Sequence, residues 1–227
     1  DTLVLDTSAD LGANFTLAIA SSDKVTNNAE KTSVSLTLSN IDTDASTVTV
    51  RASAGAGYVD GVATRVTGTD NWTVADMDLS SLADGTVTIT ATVTDQAGNT
   101  DTASDTLDLD TTADVGSNFA VANVAGDELA NDVEKTSVDM TIAGVDADAA
   151  SVSVSFNDTD GTTPAVVYAA TKSGANWVLT NVDLSSLRDG TITATSTVTD
   201  NANNTSTATD TLVLDTSADL GANFTLA

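Results

Sequence analysis

The chain has no cysteine and no histidine among its 227 residues. Those absences exclude disulfides, thiolate nucleophiles, zinc sites, haem ligation and any histidine-based catalytic triad. Proline occurs once, as Pro164 close to Asp160-Gly161, where a turn or a sheet edge is expected. Aromatic residues make up only 4% of the chain. Bases are scarce too: 7 Lys and Arg stand against 33 Asp and Glu, a formal net charge of −26. Phosphate recognition needs clustered Lys and Arg, so nucleic acid and anionic membrane surfaces are excluded as partners. The sequence contains no run of about 18 apolar residues, so neither membrane insertion nor a signal peptide is expected within it. The chain opens inside a repeat, which predicts an excerpt of a longer protein whose targeting signals lie elsewhere.

What the sequence does have is repetition. Its first eighteen residues, DTLVLDTSADLGANFTLA, return unchanged at Asp210–Ala227, and a third copy beginning at Asp105 matches at twelve positions. The spacings are 104 and 105 residues, the size of a whole domain and far longer than a solenoid unit. Residues 6–109 carry 15 acids and 4 bases, and residues 110–214 carry 15 and 3. The expected boundaries are therefore residues 1–5 as the last strand of a preceding repeat, 6–109 as repeat 1, 110–214 as repeat 2, and 215–227 as the linker and first strand of a following repeat. No Gly/Ser or Pro-rich spacer separates the repeats, so little slack is expected at the joint.

Strict alternation runs through each repeat. Ser33–Leu38, Thr47–Val50, Thr86–Val93 and Ser151–Phe156 place Val, Leu or Ile on one face and mostly Ser or Thr on the other. Period two of this kind predicts half-buried antiparallel strands. Strand-like runs recur between clusters of Asp, Asn, Gly and Ser, about seven per repeat, which predicts an all-β immunoglobulin-like sandwich with Greek-key connections. In repeat 2 the strands are expected near residues 117–124, 136–142, 151–156, 165–170, 177–182, 191–199 and 205–214. Trp72 and Trp177, one per repeat, are expected to anchor the core. Leu79, Leu82, Leu184 and Leu187 are expected to close one end of each sandwich.

The stretch Leu82-Ala-Asp-Gly through Thr94-Asp-Gln-Ala-Gly-Asn99, then Asp110-Thr-Thr-Ala, resembles bacterial Ig-like repeats. Leu187-Arg-Asp-Gly, Thr199-Asp-Asn-Ala-Asn-Asn204 and Asp215-Thr-Ser-Ala repeat the pattern. Such repeats form the stalks of giant RTX, type I secreted surface adhesins, including biofilm and ice-binding adhesins. The resemblance implies non-enzymatic, Ca2+-stabilised extender domains, many in series, outside a Gram-negative cell. The neighbouring repeats of the same chain would be their partners, and a distal tip with its own ligand would do the adhering. The proline often found after the linker Asp-Thr-Thr is missing; Asp114 and Asp219 follow the alanine instead.

Calcium takes six to eight oxygen ligands, and the acids of this chain fall in expected loops. In a sandwich the B–C and F–G loops lie where strand A enters, and the A–B and E–F loops lie at the opposite pole. At the central joint the lower pole of repeat 1 offers Asp23, Glu30, Asp78 and Asp84, the linker Asp110 and Asp114, and the upper pole of repeat 2 Asp146, Asp148 and Asp200. Asp110, Asp148 and Asp200 are the leading candidates, with Glu30 and Asp146 next. The set recurs as Asp6, Asp10, Asp42, Asp44 and Asp95 at one end and as Asp215 and Asp219 at the other. The competing reading is that each acid is a solvated turn residue, which Asp favours through local hydrogen bonds. Asp158-Thr-Asp-Gly161 lacks the later bidentate Glu of a calcium loop and is read as a hairpin turn. Paired carboxylates can hydrolyse glycosides, but here they sit in solvated loops without the aromatics of a sugar cleft, so the chain is not expected to be an enzyme.

Two functions follow from different classes. The leading one is a structural stalk, stiffened by Ca2+ at its joints, with each domain adding ~35–45 Å at ~3.4 Å per strand residue. The alternative is an Ig-like module that binds a glycan or a host protein. Against it, the segment Arg51–Val66 holds no aromatic besides Tyr58.

Overall fold

The computed structural model describes residues 2–9, 15–21, 23–113, 119–123, 127–161 and 163–218. The chain divides into two compact units, Asp1–Thr111 and Thr112–Ala227.

Unit 1 contains β1 (Thr16–Ile19), β2 (Val25–Thr26), β3 (Val34–Ser39), β4 (Ala45–Ala54), β5 (Gly57–Val62), β6 (Thr64–Arg65), β7 (Trp72–Met77), β8 (Gly85–Asp95) and β9 (Thr100–Leu109). They form a four-stranded sheet, β1-β3-β7-β6, and a five-stranded one, β2-β9-β8-β4-β5. Unit 2 repeats the order with β10 (Ala120–Asn123), β11 (Leu129–Asn131), β12 (Val138–Ala143), β13 (Ala149–Asp158), β14 (Val166–Ala169), β15 (Thr171–Ser173), β16 (Asn176–Val182), β17 (Gly190–Asp200) and β18 (Thr205–Asp215). Its sheets are β10-β12-β16-β15 and β11-β18-β17-β13-β14. Each unit is thus a β-sandwich of immunoglobulin type.

Alternation explains the core. In β8 the inward Val87, Ile89, Ala91 and Val93 are buried, and in β4 so are Val48, Val50 and Ala52, facing Leu36, Leu38 and Val74 of the other sheet. Trp72 opens β7 and Trp177 lies in β16, both buried. Leu79, Leu82, Leu184 and Leu187 are buried in the loops that follow those strands. Two short strands per unit had no alternating signature: β2, which pairs parallel with β9, and β6; their counterparts are β11 and β15. With two or three residues apiece they are too short to show a period.

Residues 2–8, expected to include the last strand of a preceding repeat, carry no strand here. Leu3 and Leu5 are 94% and 83% exposed, whereas the same hexapeptide in β18 buries Leu212 and Leu214 to 1%. The difference is the neighbour: Leu212 and Leu214 pair with Ile192 and Gly190 of β17, and Leu3 and Leu5 have no such strand.

Candidate metal site at the entry pole

Three carboxylates meet at the end of unit 1 where the chain enters. One oxygen each from Asp6, Asp44 and Asp95 lie within 4.8 Å of one another. Asp6 belongs to the entering segment, Asp44 ends the loop between β3 and β4, and Asp95 is the last residue of β8. Within either unit, no other three described acids close to that distance.

Local structure aims these groups. The register of β4 on β8 shifts between Ala45 and Thr47, so Ser46 is an extra residue opposite Asp95. Such a bulge bends the strand end and re-aims its side chains. Ser46 Oγ bonds the carbonyls of Thr94 and Asp95, each at 2.9 Å. The loop after β8 then folds back: Asn99 donates its N–H to Asp95 Oδ1 at 2.8 Å and its Nδ2 to Oδ2 at 2.7 Å. Asn99 Nδ2 also stands 3.3 Å from the carbonyl of Asp6. Gln96 N–H donates to the carbonyl of Asp44 at 3.2 Å, tying the two loops together. The loop requires a left-handed residue, which is Gly98 at φ 93° here and Asn203 at φ 68° in unit 2; glycine and asparagine adopt it with least strain.

Asp95 is 2% exposed. Burial pushes its carboxyl up, and the donors from the Asn99 side chain and from the backbone of Asn99, Gly98 and Ala97 outweigh that, leaving it below its ordinary value. It is therefore an anion held by fixed donors, with its charge facing Asp6 and Asp44.

Unit 2 builds the same clasp. Asn204 donates its N–H and Nδ2 to Asp200, both at 2.8 Å, and Asn201 N–H donates to the carbonyl of Asp148 at 3.2 Å. Asp200 is 1% exposed. Its bulge falls at Ala150. Asp110, the counterpart of Asp6, lies in unit 1, where its N–H donates to the carbonyl of Thr26 at 3.0 Å. Asp42 and Asp146 each accept a turn bond from Ala45 and Ala149 through their carbonyls. Asp10, Asp114 and Asp219 lie outside the described residues.

The acids of the opposite pole are taken up locally. Asp84 accepts from Thr111 through the N–H at 3.1 Å and Oγ1 at 2.9 Å, and Asp189 does the same for Thr216. Glu30 Oε2 accepts from Asn27 N–H, and Asp78 Oδ1 from Ser80 N–H. Asp23 accepts from Ser21 Oγ and Val25 N–H, and Asp215 from Ser217 N–H. Asp6, Asp44 and Asp95, expected together at one end, lie close to one another; Glu30 and Asp84, expected at the central joint, have the local partners given above. Sequence alone assigns no role to the asparagines that hold the buried acids, Asn99 and Asn204. Their signal was the Asn four residues after the Asp in both loops.

The donor set fits calcium. It offers oxygen alone, and two ligands on one Ca2+ stand no further apart than twice the bond length of ~2.3–2.6 Å, about 5 Å. The three oxygens, all within 4.8 Å of one another, are inside that limit.

Comparison with known proteins adds the family. Residues 5–111 match the bacterial Ig-like domain. A fragment of a 1.5-MDa bacterial ice-binding adhesin, concerned with host cell surface retention, is similar at 26% identity and TM-score 0.51, over 95% of this chain and 68% of its own. A Ca2+-stabilised adhesin with which an Antarctic bacterium reaches out and binds ice shares the fold at 22% identity and TM-score 0.52, over 94% and 51%. A tetra-tandem repeat from the extending region of a large adhesion protein aligns at 25% identity and TM-score 0.40, over 88% and 49%. The chain thus spans about half the length of two of these structures. No curated protein matches its sequence. Residues 5–111 therefore belong to the bacterial Ig-like domain family, and the second unit repeats the same sandwich strand for strand.

Proposed function

We propose that this chain is part of the stalk of a bacterial cell-surface adhesin, its repeats acting as extenders that hold a distal adhesive domain away from the cell for attachment or biofilm formation. The observation that carries the reading is the Asp6–Asp44–Asp95 group at the entry pole. One member comes from the linker and two from loops of the folded repeat, so a cation held there ties the linker to the domain it enters. Ca2+ supplies the charge that lets three carboxylates share one site.

The same arrangement is proposed for the central joint, with Asp110 as the linker acid and Asp148 and Asp200 as the loop acids. Asp42, Asp114, Asp146, Asp215, Glu30 and Asp84 are proposed as supporting acids. The exterior of a Gram-negative cell, reached by type I secretion as in RTX adhesins, supplies the calcium. Mass action then makes the docked, folded repeat the stable one. Similarity to a fragment of an ice-binding adhesin supports the stalk reading.

Small-angle scattering paired with melting curves, with calcium and with EDTA, tests it. Chelation is expected to shorten the maximum dimension and lower the melting temperature. If both stay unchanged, the calcium joint is wrong.

A further inference from the structure

The outer face of the five-stranded sheet of unit 1 is built from cross-strand hydroxyl rungs. Thr49–Thr92–Thr102 and Ser53–Thr88–Thr106 each run across β4, β8 and β9. The rung between them differs. There Arg51 lies beside Thr90 on one side and Asp60 of β5 on the other.

Arg51 Nε donates to Asp60 Oδ1 at 2.6 Å and Nη2 to Oδ2 at 2.9 Å, the paired bonds of a fork. The guanidinium carbon also lies 4.1 Å from the centroid of the Tyr58 ring, a cation–π contact. Two independent contacts thus fix the plane of a guanidinium that remains in solvent: the side chains of Arg51 and Asp60 are each 55% exposed. Among the described residues Arg51 Nη1 donates to nothing. Opposite charges across paired strands contribute only modestly to stability when exposed; what sets this pair apart is the donor it leaves open to solvent. A concavity of about 680 Å³ opens beside it, lined by Thr49, Arg51, Asp60, Val62, Thr90 and Thr92. Val62 is the large exposed apolar group of its lining.

Charge selects the ligand. The net charge of −26 repels anions, and Asp60 already neutralises Arg51. A cation would have to approach the guanidinium. What remains is a neutral molecule with alternating donors and acceptors, and a pyranose offers adjacent hydroxyls together with an apolar C–H face. Arg51 and Asp60 set a donor beside an acceptor, Val62 supplies the apolar edge, and Tyr58 holds the guanidinium in place. We propose that this face of unit 1 binds a neutral saccharide, with Arg51 and Asp60 holding vicinal hydroxyls. Unit 2 has no such site, because its equivalent rung is Ser155 against Val167. The site owes nothing to calcium.

The test is an NMR titration of the 15N-labelled chain in EDTA with methyl glycosides of glucose, galactose, mannose and N-acetylglucosamine, alongside glucuronate and an extended neutral peptide. At least one neutral glycoside should give saturable shifts of the Arg51 Nε–Hε peak and of amides 49–51 and 58–62. A Kd on the order of a millimolar is expected for so shallow a site. Amides 153–155 and 166–169 should stay still. Arg51→Lys and Asp60→Asn should each weaken binding about tenfold, the loss of one charge-assisted bond, with the melting temperature kept as a check on folding. Saturation by no neutral glycoside at all, or by glucuronate alone, would overturn the proposal. So would equal binding by Arg51→Lys. Shifts along residues 57–62 with the peptide and no sugar response would mark strand addition at the β5 edge and also overturn it.

Discussion

Ser196 points into the core of unit 2 from the middle of β17, between Val154 of β13 and Ala208 of β18. It is 0% exposed, and its Oγ has no hydrogen-bond partner. The matching position in unit 1 is Ala91, equally buried, between Val50 and Ala103. Replacing Ser196 with Ala removes a buried hydroxyl that costs about 1–3 kcal/mol when unpaired. Against that stands the void left by one oxygen, roughly 15 Å³ at ~24 cal/mol per Å³, or about 0.4 kcal/mol. The net expectation is a gain of about 1 kcal/mol, which for a domain of this size raises its melting temperature by about 4–8 °C. Urea unfolding followed by Trp177 fluorescence, in a Trp72→Phe background, reads unit 2 alone. Trp72 is a tolerable loss because its own buried Nε1 has no partner. The midpoint should rise with the slope unchanged. The reciprocal Ala91→Ser, read by Trp72 with Trp177→Phe, should lower the midpoint of unit 1 by a similar amount. If Ser196→Ala lowers the midpoint of unit 2, the hydroxyl is satisfied in solution and the reasoning fails.

Asp95→Asn replaces an acceptor with a group that turns an N–H2 toward Asn99, so the clasp and the calcium response of unit 1 should be lost together. Calcium should then still raise the melting temperature of unit 2, through Asp200; a full response in both units would remove Asp95 from the site. Asp95, Asp78, Asp105 and Asp183 all sit below their ordinary value of 3.8. Their contribution is therefore present above that value and fades as pH falls through the lower folded values, so metal-free stability should be level from pH 7 to about 5 and drop below about 4. A decline that begins near neutrality would contradict this. Asp84→Ala should cost unit 1 about 1 kcal/mol by leaving Thr111 without its acceptor. Hydrogen exchange at the Thr111 amide should quicken while Thr216, held by Asp189, keeps its protection.

The long strands were legible because their burial follows period two: β4, β8, β13 and β17 each alternate along ten or eleven residues. β2 and β11 were not, because a short parallel contact with β9 or β18 leaves no periodic mark. The entry-pole acids could be placed from loop order alone, since B–C and F–G loops share a pole in any such sandwich. What loop order does not reveal is which acids are already engaged. Asp84 and Asp95 look alike in sequence, both beside strand ends, yet one binds Thr111 and the other is clasped by Asn99. That distinction depends on which donors each side chain meets, Asn99 for Asp95 and Thr111 for Asp84.

The duplicated segment explains why sequence identity does not fix local structure here. Leu3 and Leu5 are exposed, and the identical Leu212 and Leu214 are buried where they pair with β17. The acid that follows behaves in the same conditional way. Asp6 is one of three close carboxylates because the loops ending in Asp44 and Asp95 lie beside it, whereas Asp215 is exposed and accepts a single bond from Ser217. The middle copy supplies the end of β9, the last strand of unit 1, and the first copy supplies one carboxylate of the group at the entry pole of unit 1. In the proposed stalk a substitution in this segment acts on both neighbours at once, while one in the middle of a repeat, such as Arg51 or Ser196, acts on that repeat alone. That asymmetry accounts for repeats that agree at their joints and differ on the open face of β4 and β5.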